Sequence, residues 1–171
     1  MTKEILFLGV QGSGKSTQGK LLAQFLGLPY ISTGDIFRGM GGEIRQILEQ
    51  GRLVDDQTTS RIVEEKLREE EYSNGFVLDG YPRTMEQIKL FDPGFDKAIY
   101  LYLSDEEATK RLLARAREDD TVELIIERLR NYHKQTDPVL DYYREKGLLE
   151  QIDGIGSIEE IQQKIRDAVN G

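Results

Sequence analysis

Near the start of the chain, Gly9-Val10-Gln11-Gly12-Ser13-Gly14-Lys15-Ser16 fits the pattern G-x-x-x-x-G-K-[ST]. Its glycines let the backbone turn N–H groups toward an anion. The apolar run Ile5-Leu6-Phe7-Leu8 precedes it and a helical pattern over Gly14–Leu26 succeeds it. That context places a helix N-terminus, with its partial positive charge, beneath the loop. Gly12, Ser13 and Gly14 then form a phosphate cradle. Lys15 reaches the outer phosphates, and Ser16 or Thr17 can touch a phosphate oxygen or Mg²⁺. The chemistry implied is binding of a nucleoside triphosphate; the motif does not say which reaction the bound nucleotide undergoes. A glycine-rich turn without ligand is the competing reading.

Asp79 ends a second apolar run, Phe76-Val77-Leu78. At the carboxyl edge of a neighbouring parallel strand it would face the same crevice, where a Walker-B carboxylate holds Mg²⁺ directly or through water. Alternatively it caps the turn before Gly80.

The formal net charge of the 171-residue chain is −8, which argues against a nucleic-acid or anionic-membrane partner. An anionic ligand must therefore be held by local positive groups. Arg38, Arg83, Arg115, Arg117 and Arg128 fall at loop edges or beside predicted breaks; solvated helix surface is the default alternative. With no cysteine, thiolate zinc sites, disulfides and Cys nucleophiles are excluded. The single histidine, His133, lies mid-helix and reads as surface or packing. No apolar run approaches membrane-helix length, and the N-terminus lacks signal-peptide character.

These groups need elements to position them. Five apolar runs read as strands: 5–8, 28–31, 76–78, 98–103 and 148–152. Helical stretches separate all but the last from the next, which is the pattern of a parallel α/β fold. The predicted helices cover 14–26, a broken 35–50, 56–72, 84–91, 105–116, 121–146 and 157–169. Pro138 is expected to break or kink the sixth of them. Leu21, Leu22, Phe25 and Leu26 are expected to share an inward face, as are Ile62, Val63 and Leu67. Capping boxes are read at Thr84…Gln87, Ser104…Glu107, Asp120…Glu123 and Ser157…Glu160. Tyr81-Pro82 is a candidate cis peptide.

Taken in order, the motifs resemble those of the adenylate kinases, nucleoside-monophosphate kinases, along nearly the whole chain. They are Gly-Ser-Gly-Lys-Ser-Thr-Gln (12–18), Ser-Thr-Gly-Asp (32–35) with Arg38, and Gly-x-Leu-Val (51–54). Next come Leu-Asp-Gly-Tyr-Pro-Arg-Thr (78–84) with Gln87, then Arg111, Arg115, Arg117-x-Asp-Asp and Arg128. The resemblance implies a P-loop NTPase-type five-stranded parallel sheet, order 2-3-1-4-5, with helices on both faces. It implies reversible transfer of the γ-phosphoryl of MgATP to AMP, giving two ADP. The chain would be a single domain, 1–171, with a short monophosphate-binding element at 32–54 and a minimal lid at 115–120. The partners implied are ATP, AMP and ADP, for a cytoplasmic monomer using Mg²⁺ and no zinc.

By the same resemblance, Lys15, Arg83, Arg115, Arg117 and Arg128 serve the transfer, and Arg111 stacks on the ATP adenine. Arg38 and Arg83 grip the AMP phosphate. Thr33, Gly34, Leu53, Val54, Gly80 and Gln87 complete the AMP side. Ser16 and Asp79 meet the metal. Asp119 and Asp120 clamp lid arginines, and Asp120 also reads as a helix N-cap. Gln87 has the competing role of capping partner. Relatives that use UMP or CMP usually carry Ala at the position of Thr33, so Thr33 favours AMP. A kinase of the same fold acting on UMP, CMP or another small acceptor is the first alternative. A P-loop switch with slow hydrolysis is the second.

The chain departs from the family pattern in places. Ser16 stands where most relatives have Gly, and Gln11 replaces a common Pro. Only 12 residues, three of them Gly, separate Arg38 from Gly51, and one residue separates Arg115 from Arg117. A basic contact to the ATP base near Gly154–Gly156 is missing, which leaves backbone carbonyls to serve.

Overall fold

Strands whose residues are all apolar must be covered on both faces. In the computed structural model, which describes residues 3–49, 54–115 and 121–171, the runs 5–8, 76–78 and 98–101 are buried throughout, while the last strand, at a sheet edge, exposes Glu150, Gln151 and Asp153. The strands are β1 (Lys3–Leu8), β2 (Tyr30–Ser32), β3 (Gly75–Asp79), β4 (Lys97–Tyr102) and β5 (Leu149–Asp153). They form one sheet in the order β2-β3-β1-β4-β5, with every pairing parallel. This is the order expected.

The helices are α1 (Lys15–Leu26), α2 (Thr33–Arg38), α3 (Gly42–Glu49), α4 (Asp56–Leu67), α5 (Met85–Leu90), α6 (Asp105–Ala114), α7 (Val122–Glu145) and α8 (Ile158–Asn170). Alternate strand residues serve opposite faces. Ile5, Phe7, Val77, Ile99 and Leu101 pack with Leu22, Ala23, Ile161 and Ile165 of α1 and α8. Leu6, Leu8, Leu78, Ala98 and Tyr100 pack with Val63, Ile88, Val139 and Tyr143 of α4, α5 and α7. A third cluster, Val10, Leu103, Ala108, Leu112, Ile125 and Leu129, anchors α6 and the start of α7 beside the glycine-rich loop.

Several expectations need correction. On α1 the buried residues are Gln18, Gly19, Leu22 and Ala23, while Phe25 is 48% exposed. Gly19 sets that face: a Cβ there would stand 2.9 Å from the Tyr30 ring, so the helix sits closer to the sheet than a larger residue allows. Phe25 is instead covered by the Arg166 guanidinium, 4.1 Å from the ring centroid. Of the α4 face, Ile62 and Val63 are buried and Leu67 is partly so. That helix stops at Leu67, and a 3₁₀ turn comes next at Glu70–Tyr72.

Helix α7 runs unbroken through Pro138 for 24 residues. Pro138 and Lys134, the residue whose carbonyl loses its helical donor, are both on the exposed side, where water can satisfy that carbonyl. Among the described residues only Ser157…Glu160 forms a reciprocal capping box, and the expected box at Asp120…Glu123 begins outside them. Ser104 caps through its own hydroxyl alone. The N-cap of α7 is Thr121, not Asp120.

Candidate active site

At the carboxyl edge of the sheet β1 and β3 lie side by side, and their connections leave to opposite faces. β1 runs into α1 on one face, β3 into α5 on the other. Such a reversal opens a crevice. The loop after β1 occupies it. Gly12 and Gly14 take φ of 87° and 88°, a conformation costly for residues with a Cβ. Gly14 is the N-cap of α1. The Ser13 backbone N–H donates to the Val10 carbonyl at 3.2 Å, and buried Ser13 sits beneath the turn.

Lys15 is half-buried at the first position of α1. Burial pushes its ammonium below the ordinary range, the Asp79 charge opposes that, and the Arg83 charge adds to it. The charges of Asp79 and Arg83, from the end of β3 and the loop after it, thus both act on Lys15. Asp79, buried, accepts from the Ser16 hydroxyl at 2.6 Å and from the Tyr30 hydroxyl at 2.9 Å, both on Oδ2. It does not cap the turn before Gly80 in any hydrogen bond among the described residues. Tyr30 is a site residue that the sequence motifs do not point to. The register Tyr30↔Val77 and Ser32↔Asp79 brings it there, and a parallel pairing partner is not written in local sequence. Burial raises the Tyr30 phenol, so it stays a donor.

Next to Asp79 the chain turns at Gly80, φ 91°. A Cβ there would stand 2.5 Å from Thr33 Oγ1 and 3.2 Å from the Arg83 guanidinium. Thr33, buried, donates to the Gly80 carbonyl at 3.2 Å, and Arg83 Nε donates to the same carbonyl at 2.9 Å. Thr33, Gly80 and Arg83 are therefore one cluster. Tyr81-Pro82 is cis. Tyr81, fully buried, has its hydroxyl within 3.0 Å of Ser60 Oγ and the carbonyls of Gln87 and Phe91. The Arg83 carbonyl accepts from Thr136 of α7 at 2.9 Å. On α2, Ser32 caps through Asp35 N. Arg38 folds back over Gly34 onto Asp35 in an ion pair.

Gln87 is buried at the third position of α5. Its Oε1 accepts from Arg83 N at 2.7 Å and its Nε2 donates to Asp56 Oδ1 at 2.9 Å. It does not complete a capping box with Thr84; its amide reaches one residue further back. Arg111 donates to Glu107 at 3.1 Å and to the Gly154 carbonyl at 3.1 Å, which engages one backbone carbonyl expected at the ATP base. Arg115 is the C-cap of α6, and Arg128 lies on α7 beside buried Leu129. Val54, half-buried, accepts from Thr59 at 3.4 Å. Leu53, Arg117, Asp119 and Asp120 lie outside the described residues. So do residues 116–120 of the expected lid.

His133 bridges two helices rather than lying idle on one. Nε2 meets Asp105 of α6 at 2.8 Å and Nδ1 meets Asp137 at 3.1 Å. Those carboxylates, Asp105 first, raise its pKa above the ordinary 6.5. A raised folded pKa stabilises below the unfolded value and is lost as pH rises through the folded one. The melting-temperature advantage of the wild type over His133→Gln is therefore expected at about pH 5.5 and absent by about pH 8.5. Paired melts at the two pH values check it; an equal difference at both would refute the bridge.

A glycine-rich strand-to-helix loop, its lysine, a neighbouring strand-end carboxylate and the 2-3-1-4-5 sheet define a P-loop nucleotide-binding protein of the NTPase type. The family model described as adenylate kinase matches residues 7–148. An adenylate kinase of Nocardia farcinica is 37% identical, over 94% of this chain and 95% of its own length. One of Leptospira biflexa is 39% identical over 98% and 100%. One of Renibacterium salmoninarum is 39% identical over 98% and 96%. The chain belongs to the adenylate kinase family. Among the described residues no helix is long and apolar enough to cross a membrane.

Proposed function

We propose that this site carries the reversible transfer of the γ-phosphoryl of ATP to AMP, with two ADP as product, on a single domain. The observation that supports it most directly is that Ser16, next to Lys15 in the triphosphate cradle, bonds Asp79 at 2.6 Å while Arg83 of the acceptor cluster bonds the adjoining Gly80 carbonyl at 2.9 Å, so the two halves lie side by side. A binding module with one nucleotide has no use for a second cation placed there. In this reading the backbone of Gly12, Ser13 and Gly14, with Lys15, Ser16 and Thr17, holds the ATP phosphates. Arg111 flanks the adenine, and Arg115, Arg117 and Arg128 supply charge to the moving group, with Asp119 and Asp120 orienting the minimal lid. Thr33, Gly34, Arg38, Leu53, Val54, Gly80, Arg83 and Gln87 take AMP.

An AMP phosphate oxygen attacks the γ-phosphorus, and the bond to the bridging oxygen of ADP breaks. The attacking oxygen is already anionic, so no general base is needed. Positioning and charge neutralisation supply the catalysis. Ser16 Oγ and Asp79, oxygen donors 2.6 Å apart, fit Mg²⁺ in chemistry and placement. When bound with ATP, that ion neutralises charge on the β- and γ-phosphates. The acidic balance of the chain fits free nucleotides in the cytoplasm better than a nucleic-acid or membrane partner.

The test is a coupled assay with ATP plus AMP, CMP or UMP. AMP is expected to be used at least about tenfold more efficiently, since small base-pocket differences give roughly 1–3 kcal/mol. Thr33→Ala narrows that ratio, because the base pocket changes and the Gly80 carbonyl loses a donor. Equal or better use of UMP by the wild type would sink the AMP reading. ADP formation from ATP alone, independent of AMP, would favour the hydrolytic switch.

A further inference from the structure

Gln87 is held by two partners of opposite kind. Asp56, the first residue of α4, accepts from Nε2 at 2.9 Å through Oδ1. The Arg83 backbone N–H donates to Oε1 at 2.7 Å. A carboxylate can only accept and a backbone N–H can only donate, so the two ends of the amide cannot exchange places. Asp56 is itself held, because Oδ2 accepts from the Thr84 hydroxyl at 3.1 Å. That hydroxyl also accepts from Gln87 N at 3.1 Å, capping α5. The four residues form a closed ring joining α4, the loop after β3 and α5.

An amide carries two N–H donors and two acceptor sites on its oxygen. Asp56 uses one donor and Arg83 N one acceptor site. One donor and one acceptor remain, in a fixed order. Adenine presents an exocyclic N–H donor beside a ring-nitrogen acceptor. A 6-oxopurine presents an acceptor oxygen at the exocyclic position. An amide free to flip could read either edge; one held at both ends, by Asp56 and the Arg83 N–H, reads one.

We infer that Asp56 is a specificity-determining positioning residue, which fixes the orientation of the Gln87 amide and so favours AMP over 6-oxopurine monophosphates. This rests on the reading of Gln87 as the group that meets the acceptor base. Nothing in the motif order points to Asp56; its proximity to Gln87 comes from the packing of α4 against α5.

The test measures kcat and KM for ATP, AMP and IMP in the wild type, Asp56→Ala, Asp56→Asn and Gln87→Ala, with thermal melts of each. Asp56→Ala is expected to raise KM for AMP about tenfold, the size of one hydrogen bond to a charged group. KM for ATP stays unchanged and the AMP-to-IMP ratio of kcat/KM falls about tenfold. Asparagine keeps the shape but carries a donor as well as an acceptor, so position 56 no longer dictates which end of Gln87 faces it and only the Arg83 N–H still does. Asp56→Asn therefore narrows the ratio by at least about threefold, and it decides the matter if the alanine variant does not fold. An unchanged ratio in the folded Asp56 variants overturns the inference. So does a proportional rise in KM for both nucleotides, which marks a merely structural ring. Gln87→Ala separates the two levels. If it too leaves KM for AMP and the ratio untouched, the base-reading role of Gln87 is wrong. If it collapses them while the Asp56 variants do not, only the role of Asp56 is.

Discussion

Replacing Lys15 with alanine is expected to lower turnover by about 10²–10³-fold with the thermal melt near that of the wild type. The size is that of losing one preorganised donor to developing charge. The stability half comes from the ammonium's own surroundings. Burial pushes Lys15 below its ordinary range, so the free enzyme holds that charge at some cost, offset by Asp79 and increased by Arg83. Removing it relieves the cost instead of leaving a hole in the core. The loop keeps its shape from Gly12, Gly14 and the Ser13–Val10 hydrogen bond, none of which uses the lysine side chain. Steady-state turnover beside a melting curve checks both halves. Near-normal turnover would remove Lys15 from the site, and a collapsed melt would make it structural.

Arg83→Ala is expected to cost a similar 10²–10³-fold in kcat/KM for AMP, with the melt again preserved. Its backbone is fixed independently of its side chain: the N–H by Gln87 Oε1 and the carbonyl by Thr136. What alanine removes is the guanidinium that donates to Gly80 and lies in the field of Lys15. Arg83→Lys should recover only part of the loss, because a point charge cannot reproduce a planar fork of donors. Kinetics with AMP varied at saturating ATP give the answer. Full activity in the lysine variant would mean that charge alone is required, and full activity in the alanine variant would place the acceptor phosphate elsewhere.

Most of this site is legible in the sequence alone, for a physical reason. Phosphate binding is done by backbone and by a few contiguous residues, so Gly12, Gly14, Lys15 and Ser16 announce it within one turn of chain. The all-apolar runs tell of a doubly covered parallel sheet, and Asp79 at the end of one of them stands out by its position. What sequence does not carry is partnership across elements. Tyr30 reaches Asp79 because β2 pairs with β3, and Asp56 reaches Gln87 because α4 packs against α5. Phe25 reads as core by helical period, yet α1 packs through Gln18, Gly19, Leu22 and Ala23, and Arg166 covers the ring. Pro138 reads as a breaker, yet it and Lys134, whose carbonyl it frees, are both exposed residues of α7.

The strand order has a consequence for how the chain is made. β1 touches β3 and β4 but not β2, and β2 touches only β3. Lys3 pairs with Gly75 and Phe7 with Asp79. No two strands can therefore join until synthesis has reached the end of β3 at Asp79. At about 5–20 residues per second, the 71 residues between the end of β1 and Asp79 take about 4–14 s, during which β1 waits without a sheet partner. The phosphate loop is written in the first sixteen residues, but its second wall comes only with β3, and with it Asp79 and Arg83. A nascent chain thus acquires the first strand pairs of its sheet and the Asp79 wall of its nucleotide site in the same step.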